Sequence, residues 1–123
     1  MNQFLQVALG GALGASARLG VNVLAGRLVP GLPLGTLIVN LLGCLAMGLL
    51  AAVLALRGGQ PIAPFAMTGV LGGFTTFSAF ALDAVTLWSR GAGALATGYV
   101  AVSVAGSILA VAAGLALGRM VLA

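Results

Sequence analysis

Hydroxyl and amide side chains recur at helical spacing in two stretches of a sequence that is otherwise mostly apolar. Tyr99, Ser103 and Ser107 are four residues apart, so a helix would present three hydroxyls along one face. Thr36 and Asn40 have the same spacing in an earlier stretch. Because polar groups in hydrocarbon need partners, the pattern predicts one of two things: hydrogen bonds between neighbouring helices, or a polar track for a hydrophilic solute.

The segment at residues 69–80, GVLGGFTTFSAF, is the least ordinary part of the sequence. Adjacent glycines followed by adjacent threonines favour a break in a helix, and a break exposes backbone groups that must face protein, a cavity or an ion. Free carbonyls suit a hard cation, and the amino end of the second half-helix suits an anion. Phe77 and Phe80 are either ordinary packing residues or turn their positive ring edges toward a small dry anion.

Two charged residues fall inside apolar stretches. Arg18 either anchors its helix by reaching the membrane interface or raises the concentration of anions at a pore mouth. Asp83 lies one helical turn after Phe80. It either pairs with an arginine, caps a vestibule or relays protons to a partner that the sequence does not identify.

The composition excludes most enzyme chemistry. The 123 residues include no histidine, one acidic residue and one cysteine, Cys44, for which we predict a packing role. A Ser/His/Asp triad, a pair of carboxylates, a His/Cys metal cage and an intrachain disulfide therefore all lack their parts. The net charge of +4 comes from isolated arginines with no basic cluster, which argues against nucleic-acid binding. We predict that the protein is not an enzyme.

The elements that must position these side chains are membrane-spanning helices. Hydrophobic residues make up 62% of the chain and charged residues 5%, so its natural solvent is a lipid bilayer. The short loops make neighbouring helices antiparallel and leave residues 1–123 as a single all-α membrane domain. Four spans are predicted, the third broken in the middle, at residues 4–24, 34–56, 62–89 and 94–117.

The first span has features of both a signal peptide and a permanent helix. The Ala-Ser-Ala triplet at residues 15–17 resembles a cleavage site, but no Lys or Arg precedes it and a glycine pair interrupts the apolar stretch. We therefore expect the span to be retained. Gly10 and Gly14, like Gly114 and Gly118 in the fourth span, have the spacing of close helix crossings.

The arginines are divided evenly between the two sides of the predicted bundle. With four spans, Arg57 and Arg119 lie on one side, and Arg27 and Arg90 lie on the other. The positive-inside rule then gives no clear orientation. We therefore expect that the chain inserts in both directions and that its natural partner is an inverted copy of itself. Four short helices enclose little space, so a pore would need both copies.

Three segments closely resemble the CrcB/Fluc family of fluoride channels, namely residues 10–18 (GGALGASAR), residues 35–43 (GTLIVNLLG) and residues 69–80. Chain length, number of spans and motif order also agree, so the resemblance covers essentially the whole sequence. It implies a fluoride-selective channel in the prokaryotic plasma or inner membrane that exports fluoride passively from the cytoplasm and protects against its toxicity. It also implies an antiparallel, dual-topology homodimer with two pores and a structural sodium ion (Na+) at the dimer interface.

The resemblance implies roles for particular side chains on three of the spans. The implied pore residues are Asn40, Thr76, Phe77, Ser78, Phe80, Tyr99, Ser103 and Ser107. The two phenylalanines would form an aromatic box, and Asn40 would donate a hydrogen bond to fluoride. The tyrosine and the two serines after it would form the polar track. Thr76 and Ser78 would support the helix break and the pore.

The resemblance also places residues outside the pore itself. Arg18 would sit at the vestibule, and the backbone carbonyls of Gly72 and Thr75 from both subunits would hold the sodium ion. Three positions depart from the usual family pattern and bear on the fine tuning of the pore. They are Leu19 in place of an aromatic residue, Ala79 in place of a threonine and Asp83 in place of a glutamate.

Two other function classes remain as alternatives. A small dual-topology proton-coupled drug exporter needs a carboxylate in the membrane, and only Asp83 is available, toward one end of the third span. A non-transporting membrane assembly subunit explains the glycines but not the row of hydroxyls opposite Asn40. A heterodimer with an oppositely oriented homologue is also open, and the even arginine count favours the homodimer.

Overall fold

The computed structural model describes residues 2–122, which fold into four long helices joined by short turns. The third helix is interrupted, and its two halves are numbered separately. In chain order the helices are α1 (Gln3–Leu28), α2 (Leu34–Arg57), α3 (the π-helical stretch Pro64–Leu71 continued by the α-helical turn Gly72–Phe74), α4 (Phe77–Ser89) and α5 (Gly93–Leu122). A 3-10 turn at Gln60–Ile62 leads into α3. The four spans are long and apolar enough to cross a membrane, as the sequence predicts.

Helix α1 is longer than predicted. It begins after Asn2, whose side-chain Oδ1 accepts a hydrogen bond from the amide of Phe4 at 2.7 Å. It continues beyond residue 24 because Gly26 stays helical and Arg27 lies in the last turn, where a cation interacts favourably with the helix dipole. The chain turns later, at Gly31, whose φ of 86° suits glycine.

Helix α1 lies directly against α3, backbone to backbone. A Cβ atom on Gly69 would lie 2.9 Å from the Cα of Gly10, and a Cβ atom on Gly14 would overlap the carbonyl oxygen of Val70. Helices approach this closely only where small residues line the contact. The close crossing that the spacing of Gly10 and Gly14 predicts is therefore present, and α3 is its partner.

Helices α2 and α5 pack in the same way. A Cβ atom on Gly114 would lie 3.0 Å from the Cα of Gly48, and one on Gly118 would lie 2.5 Å from the Cβ of Ala52. Because Gly118 is a contact residue inside the helix, α5 continues past the predicted end at residue 117 and reaches residue 122. It also begins one residue earlier than predicted, and α2 ends one residue later.

Helix α4 is held through side chains instead. Phe80 and Leu87 of α4 pack against Ala96 and Tyr99 of α5 in a small buried cluster. The other side of α4 is uncovered, and Phe77 at its start is 78% exposed. The second half of the third span thus has one face on the bundle and one face free.

Candidate functional site

The third span is interrupted at two threonines, not at the preceding glycine pair. Thr75 (φ −88°, ψ 155°) and Thr76 (φ −153°, ψ 119°) are both extended, whereas Gly72 (φ −64°, ψ −37°) is still helical. The sequence predicts a break in the segment where two adjacent glycines are followed by two adjacent threonines, and the observed break lies at the threonines of that segment. Glycine permits a break but does not require one, so contacts from other helices decide where it falls.

Asn40 of α2 supplies the contact that fixes the break. Its Nδ2 donates to the carbonyl oxygen of Thr76 at 3.0 Å, and its Oδ1 accepts from the amide of Thr76 at 2.8 Å. The amide of Thr76 therefore does not return to the carbonyl of Gly72, four residues earlier. One side chain satisfies both backbone groups of an extended residue in the middle of a membrane span.

The threonines complete the ends of the two half-helices. The side-chain oxygen of Thr76 accepts from the amide of Ala79 at 3.1 Å, which caps the start of α4, and lies 3.2 Å from the hydroxyl of Ser78. The hydroxyl of Thr75 donates to the carbonyl of Leu71 at 2.9 Å, at the end of α3. Thr76 and Ser78 are thus in contact with each other at the start of α4, directly after the break.

A row of aromatic rings begins at the break and runs along α4 to α5. The rings of Phe77 and Phe80 meet edge to face, with centroids 5.4 Å apart and planes at 65°. Phe80 then contacts Tyr99 at 5.4 Å with planes at 45°. The hydroxyl of Tyr99 donates to Oδ2 of Asp83 at 3.0 Å. This settles which of the partners considered for Asp83 it contacts: a tyrosine, and not an arginine.

These groups line a cleft of about 360 Å³ between α2, α4 and α5. Its polar lining residues are Asn40, Thr75, Thr76, Ser103 and Ser107, and its aromatic lining residues are Phe77 and Phe80. No charged residue lines it. Tyr99 borders the cleft through its ring contact with Phe80. Asn40 of the α2 stripe therefore faces the same cavity as Ser103 and Ser107 of the α5 stripe, whereas Thr36 is buried and is not part of the lining.

Ser103 carries the one polar side-chain atom that is buried without a hydrogen bond among residues 2–122. The residue is 5% exposed, and its hydroxyl oxygen has no partner. A buried hydroxyl that makes no hydrogen bond is unfavourable by about 1–3 kcal/mol. It therefore has free hydrogen-bonding capacity beside the cleft, as a residue of a polar track needs.

Cys44 is a lining residue that sequence reasoning missed. We predict packing for it from the sequence, but it lies on the wall of the cleft. The signal was its position four residues after Asn40, on the same face of α2. Its thiol is free and half-buried.

Two of the predicted site residues lie away from the cleft, close to the end of α3. Gly72 is exposed and is not part of the cleft lining. Arg18 is half-buried, and its Nε donates to the carbonyl oxygen of Gly73 at 2.9 Å. The break thus receives contacts from α1 on one side and from α2 on the other.

A second, smaller cavity lies beyond the aromatic row. It has a volume of about 200 Å³ and is lined by the turn at residues 31–33, by Asp83, Thr86 and Leu87 of α4, and by Arg90, which directly follows α4. Asp83 therefore lies between the Tyr99 hydroxyl and this outer cavity.

The donors that surround the cleft are amide, hydroxyl and ring-edge groups without a fixed charge. Such donors can replace the water around a small anion without trapping it. Among the described residues, no group of His, Cys, Asp and Glu side chains could hold a metal ion. The fold and site define a class: a small multi-pass membrane protein with a broken helix and an uncharged polar cleft. Residues 5–115 match the family described as CrcB-like protein, Camphor Resistance (CrcB), and the chain belongs to this family.

Curated relatives support the same assignment over nearly the whole chain. A protein of Paracoccus denitrificans is 72% identical over 94% of this chain and 94% of its own length. A protein of Cereibacter sphaeroides is 57% identical over 94% of each chain, and one of Mesorhizobium japonicum is 50% identical over 97% of this chain and 98% of its own. All three are named fluoride-specific ion channel FluC.

Proposed function

We propose that this protein is a fluoride-selective channel of the bacterial plasma membrane that lets fluoride leave the cytoplasm passively. The observation that carries the proposal is the cleft beside the helix break, where amide, hydroxyl and aromatic groups meet without a charged residue. The names of its relatives agree with this function. It is an ion channel and not an enzyme.

Fluoride is small and strongly hydrated, so a selective path must offer many donors in place of water. In the proposed path, the polar track consists of Tyr99, Ser103 and Ser107, and the aromatic box consists of Phe77 and Phe80. The unpaired hydroxyl of Ser103 supports this assignment, because a passing anion would give it the acceptor it lacks. The second N–H of the Asn40 amide is the donor that remains for fluoride.

The channel is an inverted homodimer with two pores. Two observations support this: the even division of arginines predicts insertion in both orientations, and the free face of α4 needs a covering surface. A second copy would cover Phe77, which is 78% exposed beside an open cleft. Fluoride ions and the lipid bilayer are the other partners.

The donor set at the break fits a structural sodium ion. The amide that would pair with the Gly72 carbonyl in a continuous helix is bonded to Asn40, so that carbonyl is free of its helical partner. Thr75 is extended, and its carbonyl also leaves the helical pattern. Two such oxygens from each of two copies would give a hard cation an all-oxygen site, the kind that alkali and alkaline-earth ions prefer. Bound there, sodium would supply positive charge between the two copies.

The drug-exporter alternative finds little support at the cleft. A proton-coupled exporter needs a carboxylate where its substrate binds, and Asp83 lies outside the cleft lining with its Oδ2 bonded to Tyr99. The assembly-subunit alternative leaves the buried, unpaired hydroxyl of Ser103 without a purpose.

The test is ion release from liposomes that contain the purified protein in sodium-containing buffer. A fluoride electrode follows release from vesicles loaded with potassium fluoride after valinomycin is added, and a chloride electrode follows vesicles loaded with potassium chloride. We expect fast fluoride release and no chloride release above protein-free vesicles. Equal release of both ions, or release of neither from protein that remains folded, would overturn the proposal.

A further inference from the structure

The carbonyl groups at the end of α3 need hydrogen-bond partners that the helix itself does not supply. In a continuous helix the amide of Phe77 would bond the carbonyl of Gly73, but the extended residues Thr75 and Thr76 intervene. The last carbonyls of a helix also carry the negative end of its dipole. Inside a membrane, leaving such a group unpaired is strongly unfavourable.

Arg18 supplies the missing partner from a helix that is distant in the sequence. Its Nε donates to the carbonyl oxygen of Gly73 at 2.9 Å, across 55 positions of the chain. The close packing of the two helices brings Arg18 to this position. A Cβ atom on Gly73 would lie 2.8 Å from the carbonyl oxygen of Gly11. The backbone of α3 therefore sits against α1 one to two turns before Arg18.

The contact is the counterpart of the one that Asn40 makes. Asn40 bonds both backbone groups of Thr76, and Arg18 bonds the carbonyl three residues earlier. Of the two residues whose carbonyls are the proposed sodium ligands, Thr75 lies within this interval and Gly72 lies directly before it. The orientation of those carbonyls thus depends on both side chains.

We propose that Arg18 is a positioning residue that caps the end of α3 and stabilises the helix break, in which Thr75 and Thr76 are extended. The expected effect of Arg18 on fluoride efflux and sodium binding rests on the proposed function, because the pore and the carbonyls that would bind sodium both require a fixed break. In this role the Nε–H donor matters more than the positive charge. If Arg18 only attracted anions to a pore mouth, its positive charge would matter more than its Nε–H donor.

Two substitutions separate the donor from the charge. Arg18→Gln places an amide N–H the same number of bonds from Cα as Nε, without a charge. Arg18→Lys keeps the charge but carries it one atom further along a flexible chain, without a donor at the Nε position. Arg18→Met removes both donor and charge while keeping an unbranched side chain.

The first measurement is hydrogen–deuterium exchange of the amides of residues 71–80 in the purified full-length protein in lipid nanodiscs. We expect exchange to be roughly tenfold faster in Arg18→Met and Arg18→Lys, the factor that ~1.4 kcal/mol represents, and close to the original protein in Arg18→Gln. Exchange in α5 is the internal control and should not change. Unchanged exchange at residues 71–80 in all three variants overturns the proposal, whether or not the protein conducts fluoride.

The second measurement is the rise in melting temperature when sodium replaces N-methylglucamine, together with fluoride efflux. Arg18→Gln should keep most of the sodium-dependent rise and most of the efflux, and Arg18→Lys should lose both. The reverse order, with Lys functional and Gln inactive, would show that Arg18 acts through its charge at the vestibule. Failure of the proposed function is distinguishable, because the original protein itself would then release no fluoride.

Discussion

The two halves of the third span are held in different ways. Helix α3 is locked to α1 by backbone contacts through glycines, including Gly10, Gly14 and Gly69, which leave no space for a side chain. Helix α4 packs against α5 through a small cluster of buried side chains, and its first residue, Phe77, is 78% exposed. One half is a fixed support, and the other half carries the aromatic residues that line the cleft.

This difference explains why the break lies where it does. A rigid α3 gives the extended threonines a fixed starting point, and Asn40 then fixes Thr76 from the other side. The half-helix that follows has its N-cap at Thr76, which lines the cleft. The amino end of a helix favours negative charge, so the support in α3 determines where an anion is stabilised.

The largest effect should come from breaking the support. In Gly14→Ala the new Cβ would overlap the carbonyl oxygen of Val70, and backbone atoms cannot move aside as side chains do. Overpacking usually destabilises by about 1–3 kcal/mol, and a backbone clash between two helices should exceed that range. We expect loss of folded protein in detergent, measured by size-exclusion chromatography and melting temperature.

Gly20→Ala is the matched control in the same helix. Nothing lies within 4 Å of a Cβ atom at that position, and alanine favours helix formation over glycine. It should leave the melting temperature unchanged or slightly raised. If the two variants behave alike, the contact between α1 and α3 is not the rigid support described above.

The next largest effect should come from removing the link between the support and the cleft. Asn40→Ala leaves both the amide and the carbonyl of Thr76 without partners, and each unpaired buried group is unfavourable by about 1–3 kcal/mol. Fluoride efflux should be abolished and the melting temperature should fall. Asn40 thus has a structural role at Thr76 in addition to the role as a fluoride donor that the resemblance implies.

Cys44→Ala controls for a change on the wall of the same cleft. Cys44 lies one turn after Asn40 and makes no contact with the break that the structure records as a hydrogen bond. It should keep the melting temperature and most of the efflux. Loss of efflux in Asn40→Ala with an unchanged melting temperature would assign Asn40 to the ion alone.

The helical framework can be predicted well from the sequence, because it depends on the average hydropathy of long stretches of residues. Four apolar stretches and short loops are enough to place four spans, and α2 ends within one residue of its predicted end. Errors occur where a local signal competes with a tertiary contact. Gly118 was expected to end the fourth span, but its packing against Ala52 makes it an interior residue.

The candidate site is less predictable, since its geometry depends on partners far apart in the chain. Glycine pairs and threonines indicate a break, but only Asn40, 36 residues away, determines that Thr76 is the extended residue. The partner of Asp83 was also open, and the structure assigns it to Tyr99 because α4 and α5 pack side by side. No local pattern contains this information.

A smaller effect should come from changing the half that contacts the ion. Phe80 is 7% exposed and touches both Phe77 and Tyr99, so Phe80→Ile removes two aromatic contacts of about 0.5–1.5 kcal/mol each. The protein should still fold, with a modest fall in melting temperature. Fluoride efflux should fall far more than stability, because the ring edge is lost from the cleft.

Leu82→Ile, on the free face of the same helix, is the control. Leu82 is 68% exposed and has no part in the cleft. Efflux should be unchanged if the cleft side of α4 carries the ion. Equal losses of efflux in both variants would mean that α4 matters for assembly and not for the path.

The smallest effect should come from the far end of the aromatic row, where α4 meets α5 in one hydrogen bond. Tyr99→Phe keeps the ring against Phe80 but removes the hydroxyl that donates to Asp83, which should lower the free energy of unfolding by about 0.5–1.5 kcal/mol. Asp83→Asn keeps an acceptor oxygen for the same hydroxyl and should leave the free energy of unfolding close to unchanged.

Measuring fluoride efflux separates the two roles of the tyrosine hydroxyl. If it only joins two helices, efflux should follow stability in both variants. If it is also a donor of the track, Tyr99→Phe should reduce efflux more than its small loss of stability explains, and Asp83→Asn should not, because the hydroxyl of Tyr99 remains.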